Sequence, residues 1–241
     1  MILKKLMLIS LSLFTPVGAI GSNGVNYQRT EVSQIESTNE NNNSNDEKES
    51  EFKFIFPFDY SFFDAISSEF GERHFATNRF HAGIDLTSVS GIGTNVFSVS
   101  DGTVVEIFDG CANGEYRAVG GYVSRMKQGC GNGGNRVRVK TNYIFNDGVI
   151  VPVMFTYLHL DPGTLTVKEG DKVTVGETIG KLGNSGISTG AHLHFQISIN
   201  ADYIDSFEEE MGLKLDKDVL HEDIFEEEYV DVNPRLFLQF K

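Results

Sequence analysis

The sequence predicts an all-β domain built on an antiparallel sheet, and two observations support this prediction. First, short segments of β-branched and aromatic residues recur, each bounded by Gly, Asn or Asp, as is typical of strands joined by turns. Second, these segments follow one another without long helical patterns between them, which favours antiparallel connections. The predicted strands are 96–99, 103–107, 136–140, 149–159 and 193–199.

The first 19 residues predict a signal peptide. Lys4 and Lys5 precede an apolar run over 6–14, and the Val-Gly-Ala of 17–19 fits a small-residue cleavage site. The run is too short to span a bilayer as a helix, and no Cys directly follows it for lipid attachment. A membrane anchor is the alternative interpretation. We expect an exported protein, periplasmic or extracellular, that is not an integral membrane protein after processing.

Residues 20–51 predict a disordered linker. Asn, Ser and Glu dominate this segment, and apolar residues are too sparse to bury a core. The linker would separate the signal peptide from one folded domain over 52–241, which is long enough for a single substantial core.

A short helix is predicted at the start of that domain, over 59–70. Its apolar residues approximate one helical stripe, which is more typical of core packing than of a ligand site. They are Phe62, Phe63, Ile66 and Phe70.

A second unusual segment, 202–231, holds 13 acidic residues against two lysines and supplies most of the chain's net charge of −14. Its apolar residues are partly compatible with one or two short helices, so a solvated helical insert is the simplest interpretation. Calcium binding is the alternative, although the spacing is not that of an EF-hand loop. The overall acidity argues against nucleic acid as a partner.

The histidines carry the strongest functional signal. His192 and His194 are two residues apart in a predicted strand, so their side chains point to the same face. His81 and Asp85 are four apart and also share a face of an extended segment. Two or three His with one carboxylate and an open position describe a catalytic zinc site. A lone H-x-H pair also occurs by chance, so the flanking sequence matters.

That flanking sequence resembles the lysostaphin-type (LytM-domain) zinc metallopeptidases, which cut peptidoglycan peptides. The resemblance covers about 70–199 and resumes at 232–236. It implies an open barrel or sandwich of antiparallel strands. It rests on five motifs in order, namely Phe80–Leu86, Asp101–Val104, Tyr157–Leu160, Val167–Val173 and Gly180–Phe195.

The resemblance also implies roles for five residues. The family's Zn²⁺ ligands correspond to His81, Asp85 and His194, and its catalytic histidines to His159 and His192. Some relatives have lost one or more of these residues and act as regulators, whereas this chain keeps all five. The departures from the family pattern are mild and lie outside the ligand positions. They are Ala191 for Pro, Ser185 for Thr and Gln196 for Glu.

The two cysteines, Cys111 and Cys130, predict a disulfide, because an exported pair of this kind is usually oxidised. They bracket a segment, 111–130, that looks inserted relative to the family. A second metal site is the alternative, but partner ligands are lacking.

We therefore expect a monomeric, zinc-dependent endopeptidase that hydrolyses peptidoglycan cross-links or stem peptides. One alternative is a secreted protease of Gly-rich protein. The other is a zinc-bound, non-catalytic module that binds the wall or activates amidases.

Overall fold

The computed structural model describes residues 54–72, 80–114, 118–119, 122–123, 130–145, 147–212, 214–215, 217–222 and 228–240. The predicted signal peptide and linker lie outside the described residues, as does much of the 111–130 insert. Among the residues that are described, no helix is long and apolar enough to cross a membrane.

The described part of the chain is mostly β-strand, with one short α-helix, α1 (Ile204–Met211). Turns of 3-10 helix lie at Tyr60–Phe62, Ala201–Tyr203 and Pro234–Leu236. The strands are β1 (Phe63–Ser68), β2 (Gly71–Glu72), β3 (Phe80–His81), β4 (Ile84–Ser88), β5 (Asn95–Phe97), β6 (Gly102–Phe108), β7 (Ala118–Val119), β8 (Tyr122–Val123), β9 (Asn135–Ile144), β10 (Ile150–Leu160), β11 (Lys172–Val173), β12 (Thr178–Lys181), β13 (Leu193–Asn200), β14 (Lys217–Glu222) and β15 (Glu228–Val232).

One large antiparallel sheet has the strand order β1-β4-β13-β10-β9-β6-β11. Strand β13 lies at its centre and pairs with β10 along one edge. Its other edge is shared, because β4 pairs with Leu193–Phe195 and β15 pairs with Ile197–Asn200. This confirms the predicted all-β antiparallel class, and all five predicted strands are present with small differences at their ends.

The two faces of this sheet differ in chemistry. On β13, the odd-numbered residues from Leu193 to Ile199 are fully buried in the apolar core. The small β5–β12 sheet adds Val96 and Ile179 to the same core. The even-numbered residues of β13 are polar and lie on the opposite face. The alternation of the strand therefore places His194 on the polar face of the central sheet.

The predicted helix over 59–70 is wrong. Only a 3-10 turn forms at Tyr60–Phe62, where the Asp59 side chain accepts a hydrogen bond from the Ser61 backbone N–H. The chain then continues as β1, which pairs along β4. The backbone groups at the edge of β4 need hydrogen-bond partners, and residues 63–68 supply them as a strand. This tertiary pairing overrides the local helical pattern.

Among its described residues, the acidic segment 202–231 is helical only in its first third. Helix α1 confirms one of the predicted short helices. The prediction of helix beyond it is wrong, because β14 pairs with β15, and β15 continues the central sheet beside β13. The local sequence pattern does not decide between helix and strand here, and strand pairing decides it by satisfying the backbone groups.

Candidate metal centre and active site

Three side chains converge at the end of β3, on β4 and on β13. The distance from His81 Nε2 to Asp85 Oδ1 is 3.0 Å, and that from His194 Nδ1 to Asp85 Oδ1 is 3.0 Å. His81 Nε2 and His194 Nδ1 are 2.9 Å apart. These three residues form a cluster that can hold a metal ion. The sequence-predicted ligand set therefore comes together at one point.

Strand pairing positions two of these side chains. Asp85 and His194 are direct register partners on β4 and β13, so their side chains leave the same face of the sheet at the same level. His81 enters from the short β3 strand, and its Nδ1–H donates to the Glu69 carbonyl oxygen at 2.8 Å. That hydrogen bond leaves the lone pair of His81 on Nε2, which is the atom that faces Asp85.

Gly83 allows this close approach. A Cβ atom at this position would lie 2.3 Å from the Phe195 carbonyl oxygen and 2.9 Å from His194 Nε2. The turn between His81 and Asp85 can therefore rest against β13 only without a side chain. Gly83 lies within the 80–86 motif, but its packing role could not be recognised from the sequence.

Burial and hydrogen bonding set the charges of this cluster. In the metal-free protein, burial acts to raise the pKa of Asp85, but its contacts with His194 and His81, and then the charges of His194 and His192, outweigh burial and hold that pKa far below its ordinary value. Burial lowers the pKa of His194. An ionised Asp85 carboxylate beside a neutral His194 imidazole is the protonation state that metal binding requires.

The same three residues fit Zn²⁺ in donor type and in spacing. Two nitrogens and one oxygen match the His and Asp donors that zinc takes in proteins, and three protein ligands are typical of catalytic sites. Tetrahedral zinc with these ligands separates donor atoms by about 3.3 Å, which is close to the separations in this cluster.

His159 reaches the site through an irregularity in β10. The pairing of β10 with β9 shifts register between Tyr157 and Leu160. His159 has a φ of 63°, and it is the non-glycine residue with positive φ among those described. Such a bulge reorients a side chain that regular alternation would send to the same face as buried Tyr157. Backbone strain is thus concentrated where His159 is turned toward the metal ligands.

The tautomer of His159 is set by its surroundings. Its Nδ1–H donates to the Ser185 carbonyl oxygen at 2.8 Å, so the lone pair is on Nε2. Burial, followed by the charges of His192 and His194, lowers its pKa to about 3 from 6.5. His159 is therefore a neutral imidazole at physiological pH.

His192 lies beside His159, with 4.6 Å between the ring centroids. Its Nδ1–H donates to the Gly190 carbonyl oxygen at 2.8 Å, and its Nε2 is 3.6 Å from Asp85 Oδ1. The five residues predicted from the sequence thus form one group, with two further imidazoles next to the three candidate ligands.

Two supporting residues were missed by sequence reasoning. Asn135 is fully buried, and its amide donates to the carbonyl oxygens of Cys111 and Leu160. Ser185 is also fully buried, and its hydroxyl donates to the Leu160 carbonyl oxygen. Together they hold the backbone around His159. The only sequence signal was a polar residue at the start of a predicted strand and a Ser in place of the family's Thr.

The predicted disulfide is confirmed, since Cys111 and Cys130 are bonded and both are fully buried. The Asn135 side chain also accepts a hydrogen bond from the Cys111 backbone N–H at 2.8 Å. The disulfide therefore closes the 111–130 loop next to the strands that present His159.

Comparison with known proteins agrees with this geometry. The family model described as Peptidase family M23 matches residues 79–206, just over half of the chain. Glycyl-glycine endopeptidase ALE-1 of Staphylococcus capitis is 33% identical over 121 residues, which are 50% of this chain and 25% of that protein. Peptidoglycan DD-endopeptidase ShyC of Vibrio cholerae is 29% identical over 140 residues, 57% of this chain and 25% of that protein.

Among solved structures, the catalytic domain of lysostaphin from Staphylococcus simulans is 30% identical, with 57% of this chain and 81% of that chain covered and a TM-score of 0.37. The matched region spans about a quarter of the length of the two curated relatives.

Proposed function

This chain belongs to peptidase family M23, and from that premise we propose that it is an exported, zinc-dependent endopeptidase. Its proposed substrates are amide bonds in the cross-links or stem peptides of peptidoglycan. One observation carries this proposal, namely the convergence of His81, Asp85 and His194 with two non-ligand histidines beside them.

His81 Nε2, Asp85 Oδ1 and His194 Nδ1 would hold the Zn²⁺. When bound, zinc supplies Lewis acidity, which lowers the pKa of water to roughly 7 and polarises a carbonyl group. Each ligand histidine has its other ring nitrogen within reach of an acceptor on the protein. Such contacts fix ring orientation and tautomer, and they keep the metal-binding lone pairs directed at one point.

His159 and His192 would move the protons that amide hydrolysis requires. In the reaction, a water oxygen bonds to the carbonyl carbon, the C–N bond breaks and the leaving nitrogen gains a proton. His159 has its lone pair on Nε2, which is the atom that would accept the proton of the attacking water. His192 would then stabilise the oxyanion or protonate the leaving amine.

The names of two relatives support peptidoglycan as the proposed substrate. Two matched proteins are named for their activity, a glycyl-glycine endopeptidase and a peptidoglycan DD-endopeptidase. Export is supported by the Cys111–Cys130 disulfide, because such bonds persist in oxidising compartments. The basic and apolar residues at the start of the sequence support the same assignment.

Mass spectrometry of fragments released from purified peptidoglycan tests the proposal. The full-length processed protein should create new amino and carboxyl termini at peptide bonds. Chelation should abolish this release, and added zinc should restore it. Zinc-loaded protein that releases no peptide fragments, with sugar chains and peptides intact, would favour a non-catalytic module instead.

A further inference from the structure

A chain of hydrogen-bonded polar side chains leads from buried His194 through half-buried Gln196 to buried Asp231, in the C-terminal part of the sheet. His194 Nε2 lies 3.4 Å from Gln196 Oε1. Gln196 Nε2 donates to Asp231 Oδ1 at 2.8 Å. Asp231 lies on β15, directly opposite Ser198 of β13, and only 6% of it is exposed.

The chemistry of these groups allows one direction for the hydrogen bonds. A carboxylate oxygen only accepts, so the Gln196 atom that faces Asp231 must be the amide nitrogen. The Gln196 carbonyl oxygen is then turned toward His194. That oxygen also only accepts, so it stabilises the His194 tautomer with the proton on Nε2. In this tautomer the lone pair is on Nδ1, the atom 3.0 Å from Asp85 Oδ1, as metal binding at Nδ1 requires.

We propose that Gln196 and Asp231 are positioning residues that hold His194 in the tautomer whose Nδ1 binds the metal. This inference rests on the proposed function. Neither residue would touch the metal or the substrate, and both would act through His194.

Asp231 is the necessary member of this pair. The two ends of a glutamine amide are nearly the same size, so Gln196 alone could turn over and present its NH₂ group to His194. Asp231 opposes that arrangement, because its carboxylate would then face the amide oxygen. Ser198 Oγ donates to the same Asp231 oxygen at 2.7 Å, which fixes the carboxylate in turn.

This network also gives a role to the end of the acidic segment. Asp231 closes the stretch 202–231, far along the chain from His194, and it reaches the site only because β15 pairs with β13. Gln196 stands where the family usually has Glu, which would accept from His194 without a partner. In this chain, the Gln196–Asp231 pair places the negative charge one residue further away.

The first test measures zinc affinity by chelator competition on full-length, metal-free protein. Gln196→Leu removes the acceptor for His194, and Asp231→Asn removes the charge that orients Gln196. Both should weaken zinc binding by roughly 10- to 100-fold, the usual effect of losing a residue that supports a ligand. Unfolding of each metal-free variant is followed alongside, so that loss of affinity is separated from loss of fold.

Thr156→Val is the matched control. Thr156 is buried and is the cross-strand partner of Gln196 on β10. This change disturbs packing around Gln196 but leaves the hydrogen bonds from Asp231 through Gln196 to His194 in place. Zinc affinity should therefore stay within about 3-fold of the wild-type value, a smaller change than the one expected for Gln196→Leu and Asp231→Asn.

A charge exchange gives the sharper test. Gln196→Glu alone places two carboxylates side by side at a half-buried position next to buried Asp231 and should destabilise the metal-free fold. Adding Asp231→Asn replaces the second carboxylate with an amide, which can donate to the new carboxylate while that carboxylate accepts directly from His194. The double variant should recover wild-type zinc affinity and the visible spectrum of the Co²⁺-loaded protein. The zinc affinity of the double variant can still be measured if a single variant fails to fold.

Wild-type zinc affinity in folded Gln196→Leu and Asp231→Asn proteins would overturn the inference. A double variant with no higher zinc affinity and no greater stability than Gln196→Glu would overturn it as well. Zinc binding and peptidoglycan cleavage by the wild-type protein are measured first. If the wild type binds zinc and cleaves, only the positioning role falls. If the wild type binds no zinc, the proposed function fails as well.

Discussion

Asp85 and His194 lie directly opposite each other on paired antiparallel strands, with 3.0 Å between Asp85 Oδ1 and His194 Nδ1. Their separation is therefore set by strand register in the central sheet and does not depend on loop conformation. A site built on strands holds its side chains more rigidly than one built on loops. The surrounding loops are left to shape the region around the metal ligands.

Metal content provides the first prediction. His81→Ala and His194→Ala should each lose bound zinc, because each removes one of three converging donors and leaves too few for a stable site. Elemental analysis of purified, dialysed protein is the measurement. Full zinc occupancy in both variants would exclude these histidines as ligands.

The second prediction separates catalysis from metal binding. His159→Ala and His192→Ala should retain zinc, whereas release of peptidoglycan fragments should fall by roughly 10²-fold or more, the scale of a positioned acid, base or oxyanion group. Zinc content and rate are measured on the same preparations. Near-normal turnover in either variant would remove that residue from the proton transfers.

Much of the candidate site could be predicted from the sequence, because its signals are local. The H-x-H and H-x-x-x-D spacings predict that each pair lies together, and the structure brings all three histidines within 3.6 Å of Asp85. His81 and Asp85 do so from separate strands joined by a turn, not from one extended segment. The position of His159 could not be predicted by alternation, since it depends on a register shift in β10. The support from Asn135 was equally hidden, because it joins segments far apart in sequence.

The two errors in the fold have one physical cause. Residues 63–68 and 217–222 both carry patterns that a helix would accept, yet each becomes a strand beside an existing edge. Local periodicity reports which face of an element can be buried. It does not report whether a neighbouring strand offers unpaired backbone groups, which is a property of the whole fold.

The third prediction concerns Gly83. Gly83→Ala should lower zinc affinity and stability, because the new Cβ would lie 2.3 Å from the Phe195 carbonyl oxygen and must displace either β13 or the turn. Overpacking of this kind costs about 1–3 kcal/mol in the free energy of unfolding. Gly190→Ala is the control, since its Cβ would meet nothing within 4 Å. Equal behaviour of the two variants would refute the packing role.

The fourth prediction is a pH dependence of the metal-free protein. The folded-state pKa of His159 is lowered to about 3 from 6.5 by burial and then by His192 and His194. Between pH 6.5 and about 3, His159 is protonated in the unfolded chain but neutral in the folded chain. The free energy of unfolding should therefore fall as pH decreases from 6.5 toward 3.

Urea unfolding of chelated protein at several pH values between 4 and 7 measures this effect. His159→Gln should reduce the slope of stability against pH. Part of the slope should remain, because burial lowers the pKa of His194 in the same direction. An unchanged slope in His159→Gln would show that His159 does not contribute.

The last prediction concerns the loop closed by Cys111 and Cys130. Native exported protein should show no free thiols, and the Cys111→Ser/Cys130→Ser variant should lose about 3 kcal/mol of stability in the chain-entropy model. The loop is tied to the active-site region, because the Asn113 side chain accepts from the Asn184 backbone N–H, next to Ser185. Loops placed in this way on a β scaffold commonly set specificity.

Opening the disulfide should therefore change the rate or the preference among peptidoglycan peptides more than it changes zinc content. The reason is that the ligand-bearing strands β4 and β13 pair with each other. The double-serine variant and the reduced wild type should agree, which separates loss of the bond from effects of the reductant. Unaltered rate and preference in both would make the loop a stabilising feature, and other segments would then have to shape the substrate groove.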